Sequence, residues 1–217
     1  VLWTPPPGPI RIVLVGDSTA SDVNGWGLGM PAYLASNAQF VNYAIPGTST
    51  RLFLRSDEMN NMILLRPDVV LVQLGMMDTA EDQTIGTSLA DYADNLRTIV
   101  RTVRGFEGTP ILLTTHAARY WDGAGKVLPT WQDRNAVVKA VAAELGTDLI
   151  DLYQSTLELY SELGKDGSRY MESIYFPGEA MHFSPEGARV IAGLVARSFP
   201  SSLRPYVVLT GTDPQPP

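Results

Sequence analysis

The sequence predicts an α/β protein: a three-layer α/β/α sandwich built around a parallel sheet of five strands. Short apolar runs alternate with longer stretches of helical periodicity, which is the pattern of repeated βαβ units. The run Val69-Val70-Leu71-Val72 is apolar without interruption, as a central strand covered on both faces requires. The chain has 217 residues, 45% hydrophobic and 18% charged, an ordinary globular balance with enough length to bury a full core.

Taken in order, the strands are expected at Ile10–Val15, Phe40–Ala44, Val69–Leu74, Ile111–Thr114 and Leu149–Asp151. Helices are expected over Leu89–Val103, Gln132–Leu145, Ser155–Leu163 and Pro185–Arg197. The last has clear start signals: Ser184 as N-cap, Pro185 at the first helical position and Glu186 in the first turn. Residues 1–217 read as a single domain with its core at about 10–200, flanked by proline-rich tails at Pro5 to Pro9 and Thr212 to Pro217. There is no internal repeat and no low-complexity tract.

A formal charge of −7 repels nucleic acid and anionic lipid, so neither is expected as a partner. No apolar run approaches the ~20 residues that span a bilayer, so no membrane insertion is expected. The absence of cysteine excludes disulfides, thiolate metal sites and a cysteine nucleophile. No His/carboxylate set has the spacing of a zinc site, and no metal is expected. Gly25-Trp26-Gly27-Leu28-Gly29 lies well beyond the first strand and breaks the dinucleotide-binding spacing, so it is set aside. Val1 to Pro9 does not read as a signal peptide. The expected location is outside the cell, with the signal peptide absent from this chain and the cytoplasm as the alternative.

In an open parallel sheet, ligands bind at the carboxyl ends of the strands. Ser18 follows the first strand, Gly47 the second and Gly75 the third, so all three belong to one rim. A serine hydroxyl is a weak nucleophile until a base takes its proton, and that base needs a third group to orient it. Ser18, in Gly16-Asp17-Ser18-Thr19-Ala20, stands on a sharp turn after a strand. His182 is a candidate base, with Glu179 three residues earlier to hold its other ring nitrogen. A lone Gly-Asp-Ser would more often be only a turn. The chain has two histidines, so the base has two candidates. His116 lacks a nearby carboxylate, which favours His182.

The segments Gly16-Asp17-Ser18-Thr19, Gly25-Trp26-Gly27, Asn42 to Arg51, Gly75-Met76-Met77-Asp78 and Glu179 to Ala188 occur in this order. The series resembles the SGNH (GDSL-type) hydrolase superfamily from about Ile10 to Phe199. More narrowly it is similar to the rhamnogalacturonan acetylesterase branch, through Asn42-Tyr43-Ala44-Ile45-Pro46-Gly47-Thr48-Ser49-Thr50-Arg51 and His182-Phe183-Ser184-Pro185-Glu186-Gly187-Ala188. The resemblance implies a flavodoxin-like sheet and a serine esterase that needs no cofactor. It would remove O-acetyl groups from a plant-type polysaccharide, rhamnogalacturonan/pectin or xylan, through an acetyl-enzyme.

The resemblance further implies Ser18 as nucleophile, His182 as base and Glu179 as its orienter, with the N–H groups of Ser18 and Gly47 as oxyanion donors. Two positions depart from the family pattern. Glu179 stands where Asp is usual, one methylene longer; hydrolases elsewhere use Glu in this role. Met77 replaces the Asn that usually gives the third oxyanion bond, and a thioether donates nothing. Two alternatives follow: a small-ester esterase or acyltransferase on the same triad, or a low-activity glycan-binding homologue.

Arg51, Arg55 and Arg119 follow strand ends and are candidates for binding uronate carboxylates through bidentate contacts, the alternative being solvated surface arginines. His116 is read as a substrate contact or substitute oxyanion donor, or else as a loop histidine bonded to backbone. Trp121, beside Tyr120 in a loop, is a candidate face for sugar stacking. Asp78 is read as a brace for its loop.

Overall fold

The computed structural model describes residues 8–209. Apart from Gly8 and Pro9, the expected tails therefore lie outside the described residues. Five parallel strands, β1 Ile10–Gly16, β2 Ala38–Asn42, β3 Val69–Gln73, β4 Thr109–Leu113 and β5 Asp148–Ile150, form one sheet in the order β2-β1-β3-β4-β5. This is the flavodoxin-like order, as expected.

Alternation along each strand makes the three layers. Ile12 and Leu14 of β1, Leu71 of β3 and Ile111 and Leu113 of β4 face one core, together with Trp26, Met30, Tyr160, Ile191 and Val195. Val13, Val15, Val70, Val72 and Leu112 face the other, against Phe53, Met62, Ile99, Val103 and Val138. The in-register pairs Leu14–Leu71 and Leu71–Ile111 carry the first core across the sheet.

The helices are α1 Thr50–Phe53, α2 Asp57–Leu65, α3 Leu89–Gly105, α4 Gln132–Leu145, α5 Leu152–Gly167 and α6 Pro185–Arg197. α4 and α6 have the expected bounds. The Ser184 hydroxyl caps α6 by accepting from Gly187 N–H at 3.0 Å. α5 begins earlier than expected because Asp151 leaves the strand and caps it, accepting from Gln154 N–H at 3.2 Å. The expected end at Leu163 is marked by Gly164, whose φ of 68° kinks the helix before its last turn. The segment Trp26–Tyr33 is a 3-10 helix containing Gly27, Gly29 and Pro31. Its local propensity is poor, and packing against α6 holds it: a Cβ on Gly29 would lie 2.6 Å from Ala188 O and Arg189 Cα. Among the described residues no helix is long and apolar enough to cross a membrane.

Candidate active site

At the end of β1 the chain turns sharply. A Cβ on Gly16 would lie 2.5 Å from the Ala20 Cβ, so the turn needs a glycine there. Asp17 is fully buried and caps the short 3-10 turn Ser18–Ala20: its Oδ1 accepts from Thr19 N–H at 2.9 Å and from the Thr19 hydroxyl at 2.7 Å. Gln73, the last residue of β3, donates from Nε2 to Thr19 Oγ1 at 3.0 Å and accepts from the Trp26 indole. This buried relay fixes the backbone on which Ser18 stands, half-buried, with its hydroxyl toward His182.

The Ser18 Oγ to His182 Nε2 distance is 2.8 Å. On the other side of the ring, His182 Nδ1 lies 3.0 Å from Glu179 Oε2. A carboxylate there takes the Nδ1 proton in a hydrogen bond, which leaves Nε2 free to accept from the serine. Glu179 also folds back on its own turn, accepting from Met181 N–H at 2.7 Å through Oε1 and from His182 N–H at 2.8 Å through Oε2. The extra methylene relative to Asp is absorbed by this loop-back. Burial works to raise the Glu179 pKa, but the bonds from the His182 ring and the two N–H groups overcome it and hold the carboxyl below its ordinary range.

Behind Ser18, burial pushes the Asp17 carboxyl up to about 6, against the Thr19 bonds and the nearby His182 charge. A hydroxyl whose proton can pass to an imidazole, itself held by a carboxylate, is equipped to attack an acyl carbon.

The second rim loop lies against the first. Ile45 N–H bonds to Gly16 O at 2.9 Å, and the Asn42 amide donates to Ala20 O at 2.9 Å. Ile45-Pro46-Gly47-Thr48 is a turn closed by Thr48 N–H on Ile45 O at 3.2 Å, with Gly47 at φ 75°. Pro followed by a positive-φ Gly is the type II pattern. Met77 opens a 3-10 turn after β3 and is half-buried. The next residue, Asp78, is buried and braces this loop as expected: its carboxylate accepts from Thr50 N–H at 3.0 Å and from the hydroxyls of Thr50 and Thr87 at 2.5 and 2.8 Å.

The remaining candidates occupy different surroundings. His116 is buried, with its ring against Phe183 (4.9 Å between centroids) and edge-on to Trp131. Its Nδ1 lies 2.7 Å from Ala117 O and so carries the ring proton, which leaves Nε2 without one to donate. Burial brings its pKa down to about 4, and the ring is neutral near neutral pH. Arg119 is also buried; its Nη2 donates to His182 O at 2.7 Å and Glu179 O at 3.4 Å, and its backbone N–H to Ala180 O at 3.0 Å. That guanidinium clamps the loop carrying His182 instead of facing solvent.

Arg51 lines a separate cleft with Arg55, Gln83 and Asp91; it donates to Gln83 O at 2.5 Å and lies 3.6 Å from the Asp91 carboxylate. Trp121 lines a second cleft of about 440 Å³ with Arg119, Tyr120, Lys165, Arg169 and Glu172.

Sequence reasoning passed over Phe176, whose ring lies 5.5 Å from that of His182 in the exposed run Ile174-Tyr175-Phe176. The available signal was an apolar triplet just before Glu179, bounded by Ser173 and Pro177-Gly178, with no partner in either periodicity. It also passed over Lys165 and Arg169, which follow the expected helix end at Leu163 with no motif around them.

Among the described residues no group of three or more His, Asp or Glu side chains is placed to hold a metal ion. Rhamnogalacturonan acetylesterase RhgT of Bacillus subtilis (strain 168) is 28% identical over 207 residues, covering 87% of this chain and 88% of the relative. A probable rhamnogalacturonan acetylesterase of the same organism, YesY, is 28% identical over 199 residues, covering 86% and 91%.

Among solved structures, protein YXIM from Bacillus subtilis superposes with a TM-score of 0.76 at 22% identity, covering 88% of this chain; the chain spans 56% of that longer protein. A catalytic mutant of an acetylxylan esterase from Geobacillus stearothermophilus superposes with a TM-score of 0.63 at 18% identity, covering 92% and 95%. These two likenesses concern the fold alone. Residues 14–190 match the GDSL-like lipase/acylhydrolase family, and the chain belongs to that family of carboxylic ester hydrolases.

Proposed function

We propose that this enzyme removes O-acetyl groups from a plant-type polysaccharide, with Ser18 as nucleophile, His182 as base and Glu179 as the group that orients His182. The observation that carries the reading is the unbroken chain of hydrogen bonds from Ser18 Oγ through His182 to Glu179, at 2.8 and 3.0 Å. The likeness to relatives named as rhamnogalacturonan acetylesterases supports a carbohydrate ester as substrate. Rhamnogalacturonan or another pectin is the first polymer to test, and acetylxylan the second. The proposed location is outside the cell, where an intact polysaccharide is met.

In the proposed reaction, Ser18 Oγ attacks the acetyl carbonyl carbon while its proton moves to His182 Nε2. Glu179 stabilises the imidazolium that results, and its bonds to the two N–H groups keep it from swinging away. In this reading the N–H groups of Ser18 and Gly47 are the donors to the developing oxyanion. Collapse breaks the carbon–oxygen bond to the sugar, whose oxygen takes the proton from His182, and an acetyl ester remains on Ser18. Water then attacks that ester with His182 taking its proton, and acetate leaves as Ser18 recovers its own. Met77 supplies no third oxyanion bond.

The test is acetate release from acetylated rhamnogalacturonan and acetylxylan by the parent and by Ser18→Ala. The parent is expected to release acetate, and the variant to lose about four or more orders of magnitude in turnover while keeping its melting temperature. Turnover near that of the parent would remove Ser18 from the role. Hydrolysis of p-nitrophenyl acetate without release from either polymer would favour a small-ester esterase.

A further inference from the structure

Of the two clefts on this rim, the one lined by Trp121 shares its wall with the catalytic loop. Gly178 and Ala180, the neighbours of Glu179, belong to its lining. Its volume of about 440 Å³ has room for a sugar ring and lies in the range of small-molecule sites.

The charge of the lining opposes that of the chain. Arg119, Lys165 and Arg169 face a single carboxylate, Glu172, in a protein of formal charge −7. Arg119 is committed to the His182 loop, but the other two cations are available. Lys165 has no ion-pair partner among the described residues. Arg169 meets only Asp166, at 3.3 Å with both groups well exposed, an arrangement that contributes little and exchanges readily.

The kink at Gly164 turns the end of α5, so Lys165 lies beyond the break and Arg169 in the 3-10 turn that follows. Across the cleft, Tyr120 and Trp121 stand on a small hairpin tied by Leu128 N–H on Tyr120 O at 2.8 Å and Asp122 N–H on Lys126 O at 2.9 Å. Asp122 Oδ1 closes its tip by accepting from Ala124 and Lys126 N–H groups at 2.8 and 2.9 Å. A held aromatic beside two available cations suits a ring that carries a carboxylate. The Arg51 cleft is a poorer fit, because among the described residues no aromatic ring lines it and Arg51 donates to Gln83 O within its wall.

We propose that this cleft is a subsite for a carboxylate-bearing sugar unit adjacent to the acetylated one. Lys165 and Arg169 bind the carboxylate, Trp121 covers the ring face, and Glu172 accepts from ring hydroxyls. A neutral unit would leave Lys165 without an ion-pair partner and Arg169 with only the exposed Asp166, so the subsite favours an acidic polymer over xylan. The inference rests on the esterase reading for its adjacent acetylated unit, but its binding test does not need turnover.

NMR titration of the full chain with trigalacturonate and with xylotriose, repeated on Lys165→Gln/Arg169→Gln, measures it directly. The parent is expected to bind trigalacturonate more tightly than xylotriose, and the double variant to bind trigalacturonate about tenfold more weakly, with xylotriose unchanged. Circular dichroism melting checks that the variant is folded, and both substitutions lie on the surface. Three results would overturn the subsite: no binding of trigalacturonate by the parent, equal binding by the variant, or an equal loss for xylotriose. Turnover of p-nitrophenyl acetate by the parent tests the esterase reading separately. If that fails while trigalacturonate binding depends on Lys165 and Arg169, the subsite stands and the esterase reading falls.

Discussion

Two buried residues near Ser18 titrate in opposite directions, and their opposition is measurable. The folded pKa of Asp17, about 6, lies above its ordinary 3.8. Between those values the folded state holds the proton more tightly, so this group's contribution to stability falls as pH rises. The folded pKa of His116, about 4, lies below its ordinary 6.5, so its contribution is lost as pH falls through the same window. Asp17→Asn removes the first effect and leaves the second. Relative to the parent, the variant should gain on the order of 3 kcal/mol of unfolding free energy between pH 4 and pH 7, and should lose stability more steeply on acidification. Urea melts at a series of pH values would show this. A difference between the two proteins that is constant with pH would mean that Asp17 does not titrate as stated. Met77 gives a second prediction at this scale. If the oxyanion faces position 77, Met77→Asn should raise turnover on acetyl esters with little change in KM. The gain should fall short of the about 2.7–4 kcal/mol that a full oxyanion donor contributes, because the surroundings are packed for a thioether. A neutral or slower variant would make Met77 a wall of the acyl pocket.

At the scale of elements, the segment Trp26–Tyr33 and helix α6 act as one unit. Helix propensity alone says that Gly29→Ala should stabilise, since Ala restricts the unfolded chain. The structure says the opposite, because the added methyl would meet the α6 backbone at 2.6 Å and neither segment is a flexible side chain. We expect Gly29→Ala to cost about 1–3 kcal/mol, and to lower esterase activity as well, since α6 begins three residues after His182. Thermal melting and p-nitrophenyl acetate turnover would check both, and a raised melting temperature would refute the close packing. The same coupling explains why Phe183 and Ser184 matter: Phe183 N–H bonds to Asn24 O at 2.8 Å, and Ser184 N–H to Met171 O at 3.0 Å. The C-terminal end of the His182 loop is therefore held by Asn24 and Met171, and the loop from Glu179 to His182 by Arg119.

For the whole molecule, the sheet is the common wall of two cores, and damage to either should weaken both. Leu71 in β3 is fully buried in one core, and Ile99 in α3 in the other. Leu71→Ala and Ile99→Ala should each cost about 2–5 kcal/mol. Each should also shift tryptophan fluorescence and far-ultraviolet circular dichroism by the same amount in urea, as a single transition. Separate midpoints for the two signals in either variant would show that the layers unfold independently.

What the sequence determined by itself was set over short range. Each strand is a run of apolar residues that needs no distant information to be read, and the alternation with helical stretches leaves few topologies for a parallel sheet. The caps of α6 are local too, and so is the rim on which Ser18 and Gly47 stand. With only two histidines in the chain, the pairing of Ser18 with His182 was also legible.

Tertiary structure decided whatever depends on which side chains face one another across the sheet edge. Trp26–Tyr33 is held by α6 and not by its own propensity, so no local pattern announced it. His116 reads as a rim histidine and Arg119 as a uronate-binding or solvated arginine; the packing of Phe183 and the carbonyls of Glu179 and His182 turn both inward. Lys165 and Arg169 fall beyond the helix end expected at Leu163, and only the fold brings them into one cleft with Trp121. Burial and direction are properties of the assembled layers, and a linear pattern carries them only where the period of the element already fixes the face.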